Sequence, residues 1–245
     1  MLKENQDAFG LEINDYYLGM NPREIVERDD GYIGASGGFP ALYFAEFEDW
    51  QEHEKDAIQF TLGRVLDIGS GAGRVGLYLQ SQGREVLCID NSPLALEVCR
   101  QRGVANVQLM SITQISRRLG EFETIIMFGN NFGLFGSPQR ARFLLKRFHR
   151  MTTTQARVLA SSRDVYKTDD PDHLSYHQFN RERGRMAGEA RLRVRYKKVK
   201  SPWFNYLMVS PEEMAGILQG TGWYIHKICG KEDDPAYTAV LFKEA

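Results

Sequence analysis

A glycine-rich segment early in the chain has the residue types and the spacing of a ligand-binding loop. The sequence VLDIGSGAG begins at Val65, so glycines alternate with other residues directly after a short apolar run. Glycine has no Cβ, which lets the backbone turn tightly and approach a ligand closely. A second apolar run ends at Asp90. In an open α/β sheet both runs would end at the ligand-binding edge, where a carboxylate can accept hydrogen bonds from both hydroxyls of a ribose. The pattern therefore predicts a site for a ligand that contains a ribose.

The same segment contains a second pattern, which indicates a different ligand. Residues 71–76 read GAGRVG and satisfy the G-x-G-x-x-G fingerprint of dinucleotide-binding proteins, so an NAD-dependent oxidoreductase is the main alternative. Three features disfavour it. Asp67 at the strand end would repel a diphosphate, and the fingerprint leaves Gly69 without a role. The two strands predicted at the end of the chain also do not suit a second mononucleotide-binding half.

The longer pattern Asp67-x-Gly69-x-Gly71-x-Gly73, followed by an acid at the end of the next strand, resembles motif I of the class I S-adenosylmethionine-dependent methyltransferases. The resemblance covers residues of about 46–160 and 210–243. It implies an enzyme that binds S-adenosylmethionine without a metal and releases S-adenosylhomocysteine.

The resemblance also implies roles for individual residues. Gly69, Ser70 and Gly71 would line the methionine and ribose portions of the cofactor. Asp67 would lie near its amino group, Asp90 would hold the ribose hydroxyls, and Asn91 would flank the adenine. The remaining cofactor-binding residues are expected to be Gly73, Ser111, Ile112, Phe128 and Gly129. The sequence departs from the family after the third strand, where an adenine-binding acid is common and Met110-Ser111-Ile112 stands instead.

The methyl acceptor is expected to bind beyond the fourth strand, where the chain reads Gly129-Asn130-Asn131-Phe132. Enzymes that methylate adenine amino groups in DNA commonly have (Asp/Asn)-Pro-Pro-aromatic there, and this chain has no such proline. The candidate substrate residues are Tyr43, Phe44, Asn130, Asn131, His177 and Trp203.

Each of these substrate candidates also has an ordinary structural explanation. The two asparagines could simply form a turn, because asparagine tolerates a left-handed backbone. The histidine could lie on the surface, and the aromatic residues could pack in the core. No catalytic base or nucleophile is evident. His173 and His177 are four residues apart but have no third partner, so a metal site is not expected.

The elements that must position these residues follow a β-α-β pattern. From residue 64, apolar β-branched runs alternate with helical patterns, as in a parallel sheet with crossover helices. The predicted strands are 65–68, 86–89, 107–110, 124–128 and 158–160, and the predicted helices are about 73–82, 93–103, 113–119 and 138–150. A helix from Ser210 and two strands at 223–229 and 237–242 complete the chain. We expect a doubly wound α/β fold with a mostly parallel seven-stranded sheet and a terminal antiparallel pair, the Rossmann-like methyltransferase fold.

Two segments are expected to add to the methyltransferase domain of residues 46–245. Residues 1–45 would form an N-terminal helical cap with a helix predicted at 22–29, and a second helix is predicted at 46–60, where the domain begins. Residues of about 164–209 would form a β insertion on the substrate side, in which 175–183 and 191–197 make an antiparallel pair. Aromatic residues of the N-terminal stretch, among them Tyr32, Phe39 and Trp50, would contribute to a lid.

Charge is distributed unevenly along the chain. Residues 1–60 hold 14 acidic and four basic residues, whereas residues 181–200 hold nine basic and two acidic ones. The basic strand could be a solvated face, a site for an acidic small molecule or a nucleic-acid surface, or the two charged segments could lie near each other. The net charge of −1 disfavours nucleic acid as a partner.

Composition suggests a compartment. Cys88, Cys99 and Cys229 are odd in number and far apart, which indicates buried thiols in a reducing environment. No apolar run is long enough for a membrane span, and the first residues lack the pattern of a secretory signal. We expect a cytoplasmic protein with no membrane partner. The oligomeric state is not predicted.

The sequence thus predicts methyl transfer from S-adenosylmethionine to a small-molecule acceptor. Besides the NAD-dependent oxidoreductase, two alternatives stay open. One is a non-catalytic protein that binds the cofactor. The other is an RNA or protein methyltransferase that uses the basic strand within residues 181–200.

Overall fold

The computed structural model describes residues 1–35 and 40–244, and Phe39 lies outside the described residues. The strands are β1 (Ile25–Arg28), β2 (Ile33–Ala35), β3 (Val65–Ile68), β4 (Val86–Asp90), β5 (Val107–Leu109), β6 (Phe122–Met127), β7 (Thr152–Arg163), β8 (Glu189–Tyr196), β9 (Val199–Lys200), β10 (Phe204–Leu207), β11 (Trp223–Cys229) and β12 (Ala236–Lys243). The α-helices are α1 (Ala8–Tyr17), α2 (Glu52–Ile58), α3 (Arg74–Ser81), α4 (Pro93–Gln101), α5 (Pro138–Arg150), α6 (Pro171–Arg181) and α7 (Pro211–Leu218).

Seven strands form one mostly parallel sheet in the order β11-β12-β7-β6-β3-β4-β5. β4 pairs in parallel with both β3 and β5, and β7 pairs in parallel with β6. β12 is antiparallel to β7 and to β11. The predicted fold class is confirmed, including the closing antiparallel pair, because buried β-branched runs and capped helices follow one another as expected.

A second, smaller sheet has the order β10-β8-β1-β2, with β9 paired to β8. The helix predicted at 22–29 is wrong, because β1 pairs antiparallel with β2 on one side and with β8 on the other. Strand pairing on both sides outweighs the local helical pattern. Within residues 1–35 and 40–45, the structure therefore has one α-helix, α1, and two strands. The predicted helix at 46–60 is shorter, since a 3-10 turn (Phe47–Asp49) precedes α2.

Two other local predictions are also wrong. The segment 175–183 is not a strand but part of α6, which Asp170 caps by accepting from two backbone N–H groups ahead of a proline in the first turn. The strand at 191–197 is correct as β8, although β1 is its partner. The helix predicted at 113–119 is instead two 3-10 turns, Ile112–Gln114 and Arg117–Leu119. The fully buried Ile115 separates them in a non-helical conformation.

The chain divides into two compact units. The first contains residues 1–50, 64–115 and 192–204, and the second contains residues 51–63, 116–191 and those from 205 onwards. In the first unit Ile13, Ala72, Ala95 and Val98 form a buried cluster. In the second, Trp223 is fully buried and donates its indole N–H to the carbonyl of Leu145 over 3.0 Å. Among the described residues, no helix has the length and apolar character to cross a membrane.

Candidate functional site

The glycine loop follows β3 and leads into α3 in the first unit. Gly69, Gly71 and Gly73 all have a left-handed backbone, with φ of 75°, 54° and 82°. The N–H groups of residues 69 and 70 both donate to the carbonyl of Ile89, at 2.8 and 3.1 Å, which ties the loop to β4. A residue with a Cβ is strained at such φ values. All three glycines of the D-x-G-x-G-x-G pattern are therefore required by the backbone, as the predicted pattern implies.

Asp90 ends β4 directly beside this loop. Its Oδ2 accepts from the N–H of Gly71 over 3.0 Å, and its Oδ1 accepts from the N–H of Ser92 over 2.9 Å. The cap of α4 is Ser92, whose hydroxyl accepts from the N–H of Ala95. Each carboxylate oxygen has a further lone pair, so the group can still accept from a diol. Burial raises the pKa of Asp90, although the backbone bonds act in the opposite direction.

Asp67 lies in β3, two residues before Gly69, and is only 2% exposed. The thiol of Cys88 donates to its Oδ2 over 3.7 Å, and the thiol of Cys99 donates to the carbonyl of Gly71 over 3.5 Å. Burial raises the pKa of Cys88 well above its ordinary value and that of Cys99 to about 12. The raised pKa disfavours the reactive thiolate form of both cysteines.

The predicted adenine side lies at the end of β5, next to β4 in the sheet. The N–H of Met110 donates to the carbonyl of Asp90 over 2.8 Å, so the following residues lie at the same sheet edge. The hydroxyl of Ser111 caps the turn that Ile112 begins, and Ile112 is buried. Asn91 is exposed and accepts the N–H of Leu2 through its carbonyl. The segment Met110-Ser111-Ile112 therefore presents backbone, a hydroxyl and an apolar side chain at this edge, and it contains no acid.

Aromatic residues of the N-terminal region lie over the glycine loop. A Cβ at Gly71 would lie 3.5 Å from the ring of Tyr43 and 3.9 Å from Ile13. Tyr43 packs edge-on against Phe9, and Phe44 lies under the guanidinium of Arg102, 4.9 Å from its ring centre. Two of the predicted substrate residues, Tyr43 and Phe44, therefore belong to the aromatic residues that pack over the glycine loop.

Trp50 is 4% exposed and is part of the packing of the first unit. Its indole N–H donates to the carbonyl of Ala45, and the guanidinium of Arg74 lies 4.6 Å from its ring centre. Tyr32, the other aromatic residue predicted for the lid, is exposed.

Sequence reasoning missed Asp7, which joins α1 to α4. Its side chain caps α1 through the N–H of Gly10, and it accepts from the hydroxyl of Ser92 over 2.7 Å and from the N–H of Leu94 over 3.1 Å. An aspartate before an amphipathic run is a helix-start signal, so Asp7 could have been recognised.

Glu12 was missed as well, and no sequence signal distinguishes it. Glu12 is 1% exposed on α1, and its Oε1 accepts the N–H of Glu24 over 3.1 Å. Burial, together with the neighbouring Glu24 carboxyl group, raises the pKa of Glu12 to about 8.

The second unit contains the residues predicted to follow β6. Phe128 is buried, and Gly129 has φ 68° and donates its N–H to the buried Glu54 over 2.8 Å. Asn130 also has a left-handed backbone, with φ 66°, and its carbonyl accepts the hydroxyl of Tyr206 over 2.6 Å. The side-chain Oδ1 of Asn130 is buried and has no hydrogen-bond partner among the described residues. Asn131, the next residue, begins a 3-10 turn.

His177 lies on α6 in the second unit and is 5% exposed, so the expectation of a surface histidine as the ordinary explanation is wrong. Its ring centre is 6.0 Å from that of Tyr166. Burial follows because residue 177 lies on the inward side of α6, together with Tyr176 and Asn180.

The basic strand β8 lies beside the acidic N-terminal segment. Glu27 on β1 forms ion pairs with Arg193 and Arg195, and Asp15 pairs with Lys197. The two guanidinium groups lower the pKa of Glu27. Of the explanations considered from the sequence, proximity of the two charged segments is the one observed. Trp203 is 37% exposed and packs against the guanidinium of Arg193, 4.7 Å from its ring centre.

Two further observations concern possible metal sites and cavities. In the described part of the chain no cluster of three or more histidine, cysteine, aspartate or glutamate residues could hold a metal. A cavity of about 430 Å³ in the first unit lies between residues 45–48 and α3, and none of the predicted cofactor residues lines it.

Comparison with known proteins finds a similarity to methyltransferases in the region that contains the glycine loop. Residues 65–155 match the family model for the methyltransferase domain. The crystal structure of a SAM-dependent methyltransferase from Bacteroides fragilis in complex with S-adenosyl-L-homocysteine is 24% identical, covers 100% of this chain and 98% of that chain, and has a TM-score of 0.84. The 1,6-didemethyltoxoflavin-N1-methyltransferase of Burkholderia thailandensis is 15% identical, covers 81% of both chains and has a TM-score of 0.51. Both structures share the fold.

One curated protein also matches part of the chain. The ribosomal protein L11 methyltransferase of Prochlorococcus marinus is 28% identical over 108 residues, which are 43% of this chain and 32% of that protein. The match thus spans about a third of the relative's length. Residues 65–155 are thus similar to a methyltransferase domain, and the chain shares the fold of the SAM-dependent methyltransferase from Bacteroides fragilis.

Proposed function

We propose that the protein transfers the methyl group of S-adenosylmethionine to a small-molecule acceptor and releases S-adenosylhomocysteine. The observation that carries this proposal is the glycine loop with three left-handed glycines, bonded through Gly71 to the carboxylate of Asp90 at the end of the next strand. Such a loop brings bare backbone close to a ligand, and the carboxylate offers paired acceptors to a ribose diol.

The residues of the first unit fit this cofactor. Asp90 would hold the ribose, the loop from Gly69 to Gly71 would line the ribose and the methionine portion, and Asp67 would lie near the amino group. Ser111 and Ile112 would face the adenine. The bound cofactor supplies a methyl group already activated on a sulfonium, so the protein mainly has to orient the reactants and exclude water.

Several residues are proposed to serve the acceptor. Tyr43 and Phe44, which cover the glycine loop, would exclude water from it. Asn130 presents a buried amide oxygen without a partner, which an N–H or O–H group of an acceptor could satisfy. Residues 1–45 and about 164–209 would select the acceptor, with His177 and Trp203 as further candidates. A general base is required only if the acceptor must lose a proton.

Charge supports a small molecule over a nucleic acid. Three basic residues in β8 or directly after it are already paired with carboxylates, because Arg193 and Arg195 pair with Glu27 and Lys197 pairs with Asp15. The three cysteines are free and buried, which supports the proposal of a reducing, cytoplasmic location.

The first test is a thermal-unfolding titration with S-adenosylmethionine, S-adenosylhomocysteine and NAD as separate ligands. The proposal predicts concentration-dependent stabilisation by the two adenosyl ligands and none by NAD, because only a ligand of the folded state raises the midpoint. Stabilisation by NAD alone would overturn it in favour of an oxidoreductase.

A second test separates an enzyme from a non-catalytic binding protein. Protein with S-adenosylmethionine labelled in the methyl group is incubated with fractionated small metabolites, RNA and protein. Label in the small-molecule fraction is expected. Label only in RNA or protein would contradict the acceptor class, and binding without transfer to any fraction would contradict catalysis.

A further inference from the structure

A group of aromatic and basic side chains in the second unit has no role in the proposed reaction. The rings of Phe60, Tyr224, His226 and Phe242, with the cations Arg157 and Lys227, form what we call the aromatic platform. The platform lies on strands β7, β12 and β11. In the register of the sheet, Arg157 of β7 is opposite Phe242 of β12, and Phe242 is opposite Tyr224 of β11. Helix α2 packs on the same strands through a hydrogen bond of 2.8 Å between His53 and Thr238, and it ends at Ile58.

The rings of the platform form a stack with an exposed end. The imidazole of His226 lies 4.0 Å from the ring centre of Phe242 with only 7° between the planes. Phe60 and Tyr224 meet the same phenylalanine edge-on, at 6.5 and 6.3 Å. Tyr224 is 45% exposed and His226 is exposed as well. Phe60 also meets the imidazole of His226 edge-on, at 6.0 Å, and because His226 is exposed, a further planar ring can stack on it.

The two cations lie at the flanks of these rings. The guanidinium of Arg157 lies 4.7 Å from the ring centre of Phe242, and the ammonium of Lys227 lies 5.5 Å from that of Phe60. Arg157 also donates to the carbonyl of Phe60 over 2.8 Å. Within residues 1–35 and 40–244, neither cation forms an ion pair with a carboxylate. The platform consequently carries two uncompensated positive charges beside exposed aromatic faces.

The backbone of the edge strand explains how His226 reaches the stack. The register of β11 against β12 shifts between Ile225 and Lys227, so His226 is the extra residue of a β-bulge. A bulge on an edge strand hinders the addition of another strand. The platform is therefore better suited to a ligand that stacks on side chains than to a peptide that extends the sheet.

We propose that the aromatic platform binds a nucleotide, with its base stacked on His226 and its phosphate paired with Arg157 and Lys227. A nucleotide provides a planar ring and an anion within one unit, which matches the two features of the platform. The ligand could be a free nucleotide or an unpaired residue of an RNA. This proposal does not depend on the proposed methyl transfer, since no predicted cofactor residue belongs to the platform.

The test is a calorimetric titration of adenosine 5′-monophosphate into the full chain with saturating S-adenosylhomocysteine, so that any adenosyl site is already filled. Saturable binding is expected, and His226→Ala should weaken it at least about tenfold by removing the stacking ring. Lys227→Gln and Arg157→Gln should each weaken it about three- to tenfold, while adenosine and inorganic phosphate should bind more weakly than the nucleotide. Lys55→Gln removes a cation that is paired with Glu52 on α2, and it should leave the affinity unchanged.

The outcomes decide the proposal and the source of the ligand. An oligoadenylate that binds at least tenfold more tightly than the mononucleotide would indicate RNA, and equal affinity would indicate a free nucleotide. Absence of saturable binding by both ligands would overturn the proposal, as would binding that His226→Ala and Lys227→Gln leave unchanged. Circular dichroism of each variant verifies the fold, and Lys227→Gln, at an exposed position, provides a test even if Arg157→Gln is unstable.

Discussion

At the scale of single residues, the glycine loop depends on the absence of side chains. A Cβ at Gly73 would lie 2.6 Å from the sulfur of Cys99 and 2.7 Å from Val104, and the backbone is left-handed. Gly83 is also left-handed but has open space around its Cβ position. Gly73→Ala should therefore lower the free energy of unfolding by roughly 3 kcal/mol, and Gly83→Ala by only about 1 kcal/mol. Urea unfolding of both variants measures the difference, and equal losses would contradict the packing argument.

The acid pair formed by Glu12 and Glu24 should make stability depend on pH. The pKa of Glu12 is raised to about 8 by burial and by its neighbour, so the folded protein keeps a proton that the unfolded chain releases above about pH 4.5. The stabilisation is complete below that pH and is lost as the pH rises through about 8. Glu12→Gln should thus gain stability relative to the wild type between pH 5 and pH 8, by roughly 2 kcal/mol at the upper end.

Urea unfolding at pH 5, 6.5 and 8 measures this change for the Glu12→Gln variant. Glu97→Gln, at an exposed position of α4, serves as the control and should follow the wild type. A difference between Glu12→Gln and the wild type that does not grow with pH would refute the assignment.

At the scale of elements, most of the large sheet was predictable and most of the smaller sheet was not. The strands β3 to β6 and the helices α3, α4 and α5 carry local signals: buried apolar runs, the glycine loop, and Ser-Pro helix starts at Ser92 and Ser137. The segment Ile25–Arg28 has no such signal, because its conformation is set by pairing with β2 and with β8, and β8 is distant in sequence. The location of Asp90 beside the glycine loop could be predicted from its place at the end of β4, whereas the burial of Glu12 and His177 depends on packing alone.

The junction of α1 with β8 provides a test of this smaller sheet. The hydroxyl of Tyr196 donates to Asp15 over 2.7 Å, and Tyr196 is 8% exposed. Tyr196→Phe should lower the free energy of unfolding by about 1 to 2 kcal/mol, because the buried carboxylate loses a hydrogen-bond donor. Tyr224→Phe removes a hydroxyl from a residue that is 45% exposed and should have no effect on stability. If thermal unfolding gives equal midpoints for the two variants, the bond to Asp15 does not stabilise the fold.

At the scale of the whole molecule, charges that are separated in the sequence compensate each other in the structure. The acidic surplus of residues 1–60 and the basic surplus of residues 181–200 meet at Glu27 and Asp15. This explains why a strand rich in arginine occurs in a protein whose net charge is −1. The acceptor does not follow from the fold, because one fold serves many acceptors.

Asp90 is proposed to hold the ribose of an adenosyl cofactor beside the glycine loop. The most direct measurement is the dissociation constant of S-adenosylhomocysteine, determined by calorimetry for the wild type, Asp90→Ala and Asp170→Ala. Asp170 caps α6 and is not among the predicted cofactor residues, so its variant is the matched control. We expect the affinity to fall about 30-fold, or about 2 kcal/mol, for Asp90→Ala only. Equal affinity in all three proteins, or no binding by the wild type, would contradict the account.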